Sequence, residues 1–305
     1  MEKNKSFVWQ NGILIGLTIL AGTLGLGLMM PLRASNLLQL TNFQAVDSES
    51  IEPQIDTQKR IEGFKTAMLS TWQQQATAKG VYHTVPKQFH GKTIKSASLP
   101  SGKKAIALTF DDGPWKGYTA QVLDILKKNN VKATFFVVGQ MLKIYPDLGK
   151  RIVGEGHAIG NHTWHHWYHQ FSKQAAAFEI DRTNDLIYQV TGTKTTLFRP
   201  PGGILHNGLA AYAKSQNKTV VMWSADSVDY SRPSPATLVS RVMKQSSPGG
   251  IVLMHDGGGN RANTVAALPS MIQKYKEKGY IFVTVPELLE MQNKQKKVLT
   301  SQKKK

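Results

Sequence analysis

The chain has 305 residues, of which 41% are hydrophobic and 19% charged, enough apolar material to bury a core and too much for a wholly disordered chain. It contains no cysteine, which excludes a disulfide scaffold, a thiolate zinc site, an iron–sulfur cluster and a cysteine nucleophile, and suits an oxidising, extracytoplasmic location. Its formal net charge is +18, with six lysines and no acid in 291–305, a field that favours polyanions such as an acidic wall polymer, anionic lipid or nucleic acid.

From 12 to 30 the sequence GILIGLTILAGTLGLGLMM carries no charge. A helix of about 20 such residues spans a bilayer. Lys3 and Lys5 precede it and Arg33 follows, so the positive-inside tendency puts residues 1–11 in the cytoplasm and the rest outside. Residues 1–35 are therefore expected to be a cytoplasmic stub and membrane anchor. The alternative is a cleaved secretory signal, for which Arg33-Ala34-Ser35 offers a weak site.

Residues 36–103 are rich in Gln, Thr, Ser and Lys and are expected to form a stalk. Ile61, Phe64, Met68 and Trp72 fall at helical spacing, which predicts a helix near 58–78. The stretch 85–104, with two prolines and two glycines, reads as irregular.

Between 104 and 290 short apolar runs alternate with amphipathic stretches. Strands are predicted at 105–109, 133–138, 157–160, 195–198, 219–223, 250–254 and 280–284, and helices at 118–128, 173–190, 235–245 and 264–278. Continuous apolar strands separated by helices predict a parallel sheet buried on both faces. Seven such units predict an α/β fold, a distorted (β/α)7 barrel, with an open doubly wound sheet as the competing topology. No glycine-rich phosphate loop follows a strand. In either topology the chemistry belongs at the C-terminal ends of the strands.

Unusual polar clusters do stand at those ends. The first strand runs into Asp111-Asp112-Gly113-Pro114, a pair of carboxylates that on its own reads more readily as turn capping than as catalysis. The third runs into His162-Thr163-Trp164-His165-His166. Histidines four apart on one helical turn would meet at one point, and with one carboxylate they would leave an open coordination position on Zn²⁺ or a similar divalent ion. The fourth ends in Arg199-Pro200-Pro201-Gly202-Gly203, a fixed guanidinium with exposed backbone N–H groups. The fifth ends in Asp226-Ser227-Val228-Asp229-Tyr230 and the sixth in Leu253-Met254-His255.

In this order the clusters resemble the five motifs of the polysaccharide deacetylase family (carbohydrate esterase family 4, the NodB homology domain). TFDDGP at 109–114 matches the first motif, HTWHH at 162–166 the second, RPPGG at 199–203 the third, DSVDY at 226–230 the fourth and LMH at 253–255 the fifth. The resemblance covers about 104–290, the expected catalytic domain, and leaves 291–305 as a basic tail. It implies metal-dependent hydrolysis of acetyl groups. Asp112, His162 and His166 would hold the metal, most simply Zn²⁺, with Co²⁺, Mn²⁺ or Ni²⁺ as alternatives. Asp111 would be the general base and Arg199 would orient it. The backbone N–H of Gly202 would stabilise the oxyanion. His255 would protonate the leaving amine, held protonated by Asp229, with Asp226 assisting. Leu253 and Tyr230 would wall the methyl pocket. Gly202 and Tyr230 depart from the aromatic and the tryptophan common in the family.

Trp115, Trp164, Trp167 and Tyr168 lie just beyond the motifs, where they either stack on sugar faces or pack at the rim. His165 and His169 read as surface residues. The expected substrate is an acetylated polysaccharide, foremost peptidoglycan at its N-acetylglucosamine residues. Chitin oligomers, poly-N-acetylglucosamine and acetylated xylan are alternatives, as is a non-catalytic glycan-binding wall protein. No nucleic-acid partner is expected, since no recognition motif accompanies the charge. The expected location is the cell membrane, single-pass, with the catalytic domain outside. The oligomeric state is left open.

Overall fold

The computed structural model describes residues 85–302 together with Gly63, with side chains to residue 295. The anchor at 12–30 and the predicted helix near 58–78 lie outside this range, Gly63 apart. Among the described residues no helix is long and apolar enough to cross a membrane.

Among the described residues nine parallel strands form one sheet. In chain order they are β1 (Thr93–Ile94), β2 (Ala105–Asp111), β3 (Thr134–Val137), β4 (Ala158–Asn161), β5 (Leu197–Phe198), β6 (Thr219–Val221), β7 (Ala225–Asp226), β8 (Gly250–His255) and β9 (Ile281–Phe282). The spatial order is β1-β6-β5-β4-β3-β2-β8-β7, with β9 also paired to β2.

The chain itself dictates the curl of this sheet. β6 lies near one edge and β7 forms the other, yet only residues 222–224 separate them. An extended chain covers at most about 3.6 Å per residue, so Val221 and Ala225 lie within about 14 Å. A flat sheet of this order cannot satisfy that, so it rolls into a half-barrel. The edges are not paired with each other, but a second tie crosses the opening: the Ala97 N–H donates to the Gly249 carbonyl at 2.9 Å.

The two faces of β2 follow from its period of two. Ile106, Leu108 and Phe110 pack outward against α1 (Tyr118–Lys128), α3 (Pro146–Gly154) and α7 (Ala262–Glu277). Ala105 and Ala107 face inward, in a second cluster with Phe136, Val221 and Ile251. Small residues inside and large ones outside suit the taper of a barrel wall. Thr109 and Asp111 continue the inward column. The remaining helices are α2 (Gly139–Ile144), α4 (Lys173–Thr191), α5 (Leu209–Ser215), α6 (Pro235–Gln245) and α8 (Val285–Gln302). Ser172 and Ser234 cap α4 and α6, each accepting a backbone N–H at 3.2 Å, and Gly192 ends α4 in the left-handed conformation.

The predicted runs all carry strands or helices. The structure adds β1, β7 and the helices α2, α3, α5 and α8. It also corrects the reading of 85–104 as irregular. This segment forms a short 3-10 turn and β1, and buries Val85, Phe89, Ile94 and Ala97 against the sheet. Its apolar residues are too sparse to show a period, and only the concave face they cover explains them. The basic tail begins as the continuation of α8, whose Val285, Leu288 and Leu289 are fully buried.

Candidate active site

The inward column of β2 ends on Asp111, 3% exposed, at the centre of the concave face. Arg199, the residue after β5, has no exposed surface. Its Nη1 donates to Asp111 Oδ1 and to Thr109 Oγ1, both at 2.8 Å. Its Nε donates to the Val221 carbonyl at 3.0 Å and Nη2 to that of Met222 at 3.2 Å. Complete burial pulls the guanidinium pKa down, while the charge of Asp111 opposes this. An arginine retains its proton under such a shift. The fork therefore locks the Asp111 carboxylate from below.

Asp112 needs a backbone device. Successive side chains of a strand point to opposite faces, which would send Asp112 outward. It instead adopts φ +73°, a left-handed conformation that turns its carboxylate back toward the cleft. Gly258 lies against it so closely that a Cβ there would stand 2.4 Å from Asp112 Oδ2.

His162 and His166 converge on Asp112, but not through the expected helical turn. They stand in a loop after β4, with Thr163 at φ +69° and His166 at φ +62°. Asn161 Oδ1 accepts the Thr163 N–H at 2.8 Å, and Thr163 Oγ1 accepts the His166 N–H at 3.0 Å. These local bonds fold the loop in place of a helix. His162 Nδ1 is 2.7 Å from the Arg199 carbonyl, which makes Nδ1 the protonated nitrogen and leaves the Nε2 lone pair facing Asp112. Asp112 Oδ1 is 3.1 Å from His166 Nε2 and 3.5 Å from His162 Nε2.

One donor atom from each of these three residues lies within 4.8 Å of the others. Asp112 Oδ1 is buried and has no aligned hydrogen-bond donor. An unpaired carboxylate oxygen facing two imidazole nitrogens fits a divalent cation. Burial works against ionisation of Asp112, but the His162 and His166 imidazoles beside it outweigh this and hold the carboxyl well below its ordinary range.

On the opposite side His255 ends β8. Its Nδ1 lies 2.6 Å from Asp229 Oδ1, and its backbone N–H donates to Asp229 Oδ2 at 2.9 Å. Thr264 Oγ1 donates to the same Oδ2 at 2.8 Å. Burial lowers the imidazole pKa, but Asp229 more than reverses this, helped by the charges of Asp112 and Asp111, and the value rises to about 9. At neutral pH the His255 ring thus holds its second proton. The ring of Tyr230 meets it edge-on at 5.9 Å.

Asp111, Asp112, His162, His166, His255 and Tyr230 line one cleft of about 620 Å³, together with Trp115, Gly202, Leu253 and Asp226, and Arg199 and Asp229 lie buried behind it. All eleven residues assigned to the site from the sequence are thereby gathered in or immediately around it. Asp226 accepts the Val228 N–H at 2.8 Å and acts on the fork of Arg199 only through its charge. Two readings of neighbouring residues change. Trp164 is buried under the Arg182 guanidinium, 3.8 Å from its ring centre, and packs as core. His165 is not a free surface residue: its Nδ1 is 2.5 Å from Glu179 Oε1.

Glu179 is a site residue that motif reading missed. It is buried on α4, and its Oε2 accepts the N–H groups of both Trp164 and His165 at 2.9 Å, clamping the ligand loop. The signal was present, since Glu179 shares the buried face of α4 with Ala176, Ile180, Thr183 and Ile187. A carboxylate there needs a partner. Thr109 and Thr264 were missed because a lone threonine carries no pattern.

The polysaccharide deacetylase family model matches residues 98–221. A peptidoglycan-N-acetylglucosamine deacetylase of Bacillus cereus is 40% identical over 193 residues, covering 63% of this chain and 91% of that protein. The peptidoglycan-N-acetylmuramic acid deacetylase PdaC of Bacillus subtilis is 37% identical over 198 residues, 65% of this chain and 41% of that protein. The crystal structure of the Bc1960 peptidoglycan N-acetylglucosamine deacetylase, in complex with an N-hydroxybenzamide, superposes with a TM-score of 0.61 at 38% identity, covering 66% of this chain and 94% of that one. With its five motifs gathered in one cleft and this similarity, the chain belongs to the polysaccharide deacetylase family.

Proposed function

We propose that the protein removes acetyl groups from the N-acetylglucosamine residues of peptidoglycan. The observation that carries this reading is the placement of Asp111 and His255 on either side of the Asp112, His162 and His166 donors. Amide hydrolysis needs a base for water and an acid for the departing amine, because an amine leaves only when protonated. Asp112, His162 and His166 would hold a divalent ion, Zn²⁺ by the mixed nitrogen and oxygen donors, which would supply Lewis-acid polarisation of the acetyl carbonyl and acidify water.

Asp111, oriented by Arg199, takes a proton from the water that attacks the carbonyl carbon. The backbone N–H of Gly202 donates to the oxyanion that develops. His255 delivers its proton to the sugar nitrogen, the C–N bond breaks, and acetate and a free amine depart. Asp229 keeps His255 charged for that step. Leu253 and Tyr230 enclose the acetyl methyl.

Peptidoglycan as substrate is supported by the similar Bacillus cereus and Bacillus subtilis deacetylases. The net charge of +18 also suits an acidic wall polymer. The uncharged run 12–30 supports a single-pass anchor with the catalytic domain outside. The test is acetate release from purified peptidoglycan, N-acetylglucosamine oligosaccharides and acetylated xylan, before and after chelation and with zinc added back. Release from peptidoglycan that chelation abolishes and zinc restores is expected. Release from xylan alone, or release indifferent to chelation, would overturn the reading.

A further inference from the structure

The loop after β4 does more than carry two histidines. The rings of His165 and Trp167 stack at 4.0 Å, Trp167 and His169 approach at 5.5 Å, and His169 and Phe171 stack at 4.2 Å. Alternate residues thus build a ladder of rings on one side of the segment. Of these rings only His165 lines the cleft, and Trp167 stays 48% exposed outside it, so the ladder stiffens the loop rather than offering a stacking surface to the cleft. The intervening residues point the other way. There the ring of Tyr168 meets His166 edge-on, 5.2 Å between centres. Tyr168 is 56% exposed and lines the cleft.

Gly202 lies against this ring. A Cβ at that position would stand 2.9 Å from Tyr168 Cε1, closer than side-chain carbons pack, and Gly202 has φ +59°. Any side chain at 202 would have to displace the tyrosine. The third motif therefore gives up a side chain where the second-motif loop supplies one.

We infer that Tyr168 is the substrate-positioning residue on the His166 side of the cleft, its open ring face taking the sugar that carries the acetyl group, and that Gly202 is glycine because this ring occupies its side-chain space. The inference rests on the deacetylase reading for its substrate. An aromatic ring gives a pyranose a flat apolar face at little cost in conformational entropy. Tyr168 touches no proton in the reaction, so its contribution falls on binding.

The experiment compares wild type, Tyr168→Phe and Tyr168→Ala in the zinc-loaded protein. On an N-acetylglucosamine tetrasaccharide, Tyr168→Ala is expected to raise KM about tenfold with kcat within about twofold, and Tyr168→Phe to restore KM. Turnover of a small aryl acetate, which has no sugar to hold, is expected to stay within about twofold. Equal losses on both substrates, or an unchanged KM on the tetrasaccharide, would overturn the proposal. Gly202→Ala is expected to raise KM in wild type and to raise it much less in Tyr168→Ala; additive effects would break the link between the two positions. Wild-type protein releasing no acetate from any sugar would sink the deacetylase reading alone. Tyr168 is then judged by calorimetric binding of the same tetrasaccharide, where an unchanged Kd in Tyr168→Ala overturns it.

Discussion

Asp111 and His255 are register partners on neighbouring parallel strands, and each is the last residue of its strand. Both end an inward-facing column, so backbone pairing alone brings the two side chains to the same rim. The pairs beneath them, Thr109 with Leu253 and Ala107 with Ile251, hold that register inside the core. A slip of one residue would turn either functional group into the helical layer, at the cost of the whole apolar pattern.

The opposite proton duties proposed for Asp111 and His255 predict different substrate profiles. Asp111→Asn removes the base for water and is expected to cripple hydrolysis of amide and aryl ester acetates alike. His255→Ala removes the donor to the leaving group, which an activated phenolate does not need. Its loss on N-acetyl sugar is expected to exceed that on an aryl acetate by about 10²-fold or more, within the usual range for general acid catalysis. Parallel acetate-release assays measure both. Equal losses would end the assignment of His255 as the leaving-group acid.

The Asp229–His255 pair predicts a pH signature. The folded-state pKa of His255 is raised from 6.5 to about 9, so the pair's stabilising charge interaction is fully present below pH 6.5 and is lost as pH rises through about 9. The acid is competent below that value. Asp229→Asn removes the anion, so the alkaline limb of kcat is expected to move to lower pH. Thermal melts of the variant are expected to fall further below wild type near pH 6 than near pH 10. A bound cation lowers the limb in both proteins, which makes the difference between them the readout. Superimposable profiles would show that Asp229 does not tune His255.

Removing a donor from the cluster is expected to remove the metal and leave the fold. His162→Ala and Asp112→Asn are each expected to lose zinc in equilibrium dialysis, to lose deacetylation, and to keep the far-UV circular dichroism of wild type. Stoichiometric zinc in either variant would refute the assignment.

Glu179 is expected to act on the metal from a distance. Glu179→Gln keeps the shape of the side chain but loses the charge that holds two backbone N–H groups and His165. The ligand loop should loosen, and zinc affinity should fall about 10–100-fold, as when an outer partner of a metal ligand is lost. A competitive chelator titration measures this, and wild-type affinity would make Glu179 a purely structural residue.

The sequence by itself determined the α/β class, the central strands and the five polar clusters at their C-terminal ends. These were legible because burial on both faces demands unbroken apolar runs, and because carboxylates and imidazoles directly after such runs stand out. Helices 118–128 and 235–245 were read to their ends: both keep a helical apolar period, the first is bounded by Gly117 and Asn129, and the second starts at the Ser234 cap and Pro235. Only the tertiary structure decided how the clusters meet. β1 and β7, two residues each, stand in no longer apolar run of their own, unlike the equally short β5 and β9. The curl of the sheet follows from which strand neighbours which, and pairing over long separations leaves no local trace. The left-handed backbone of Asp112, Thr163 and His166 is likewise not dictated by residue type, since Asp and His only tolerate it better than most and Thr does not. It is held by Asn161, Glu179 and the close approach of Gly258, contacts that exist only once the sheet has curled around them.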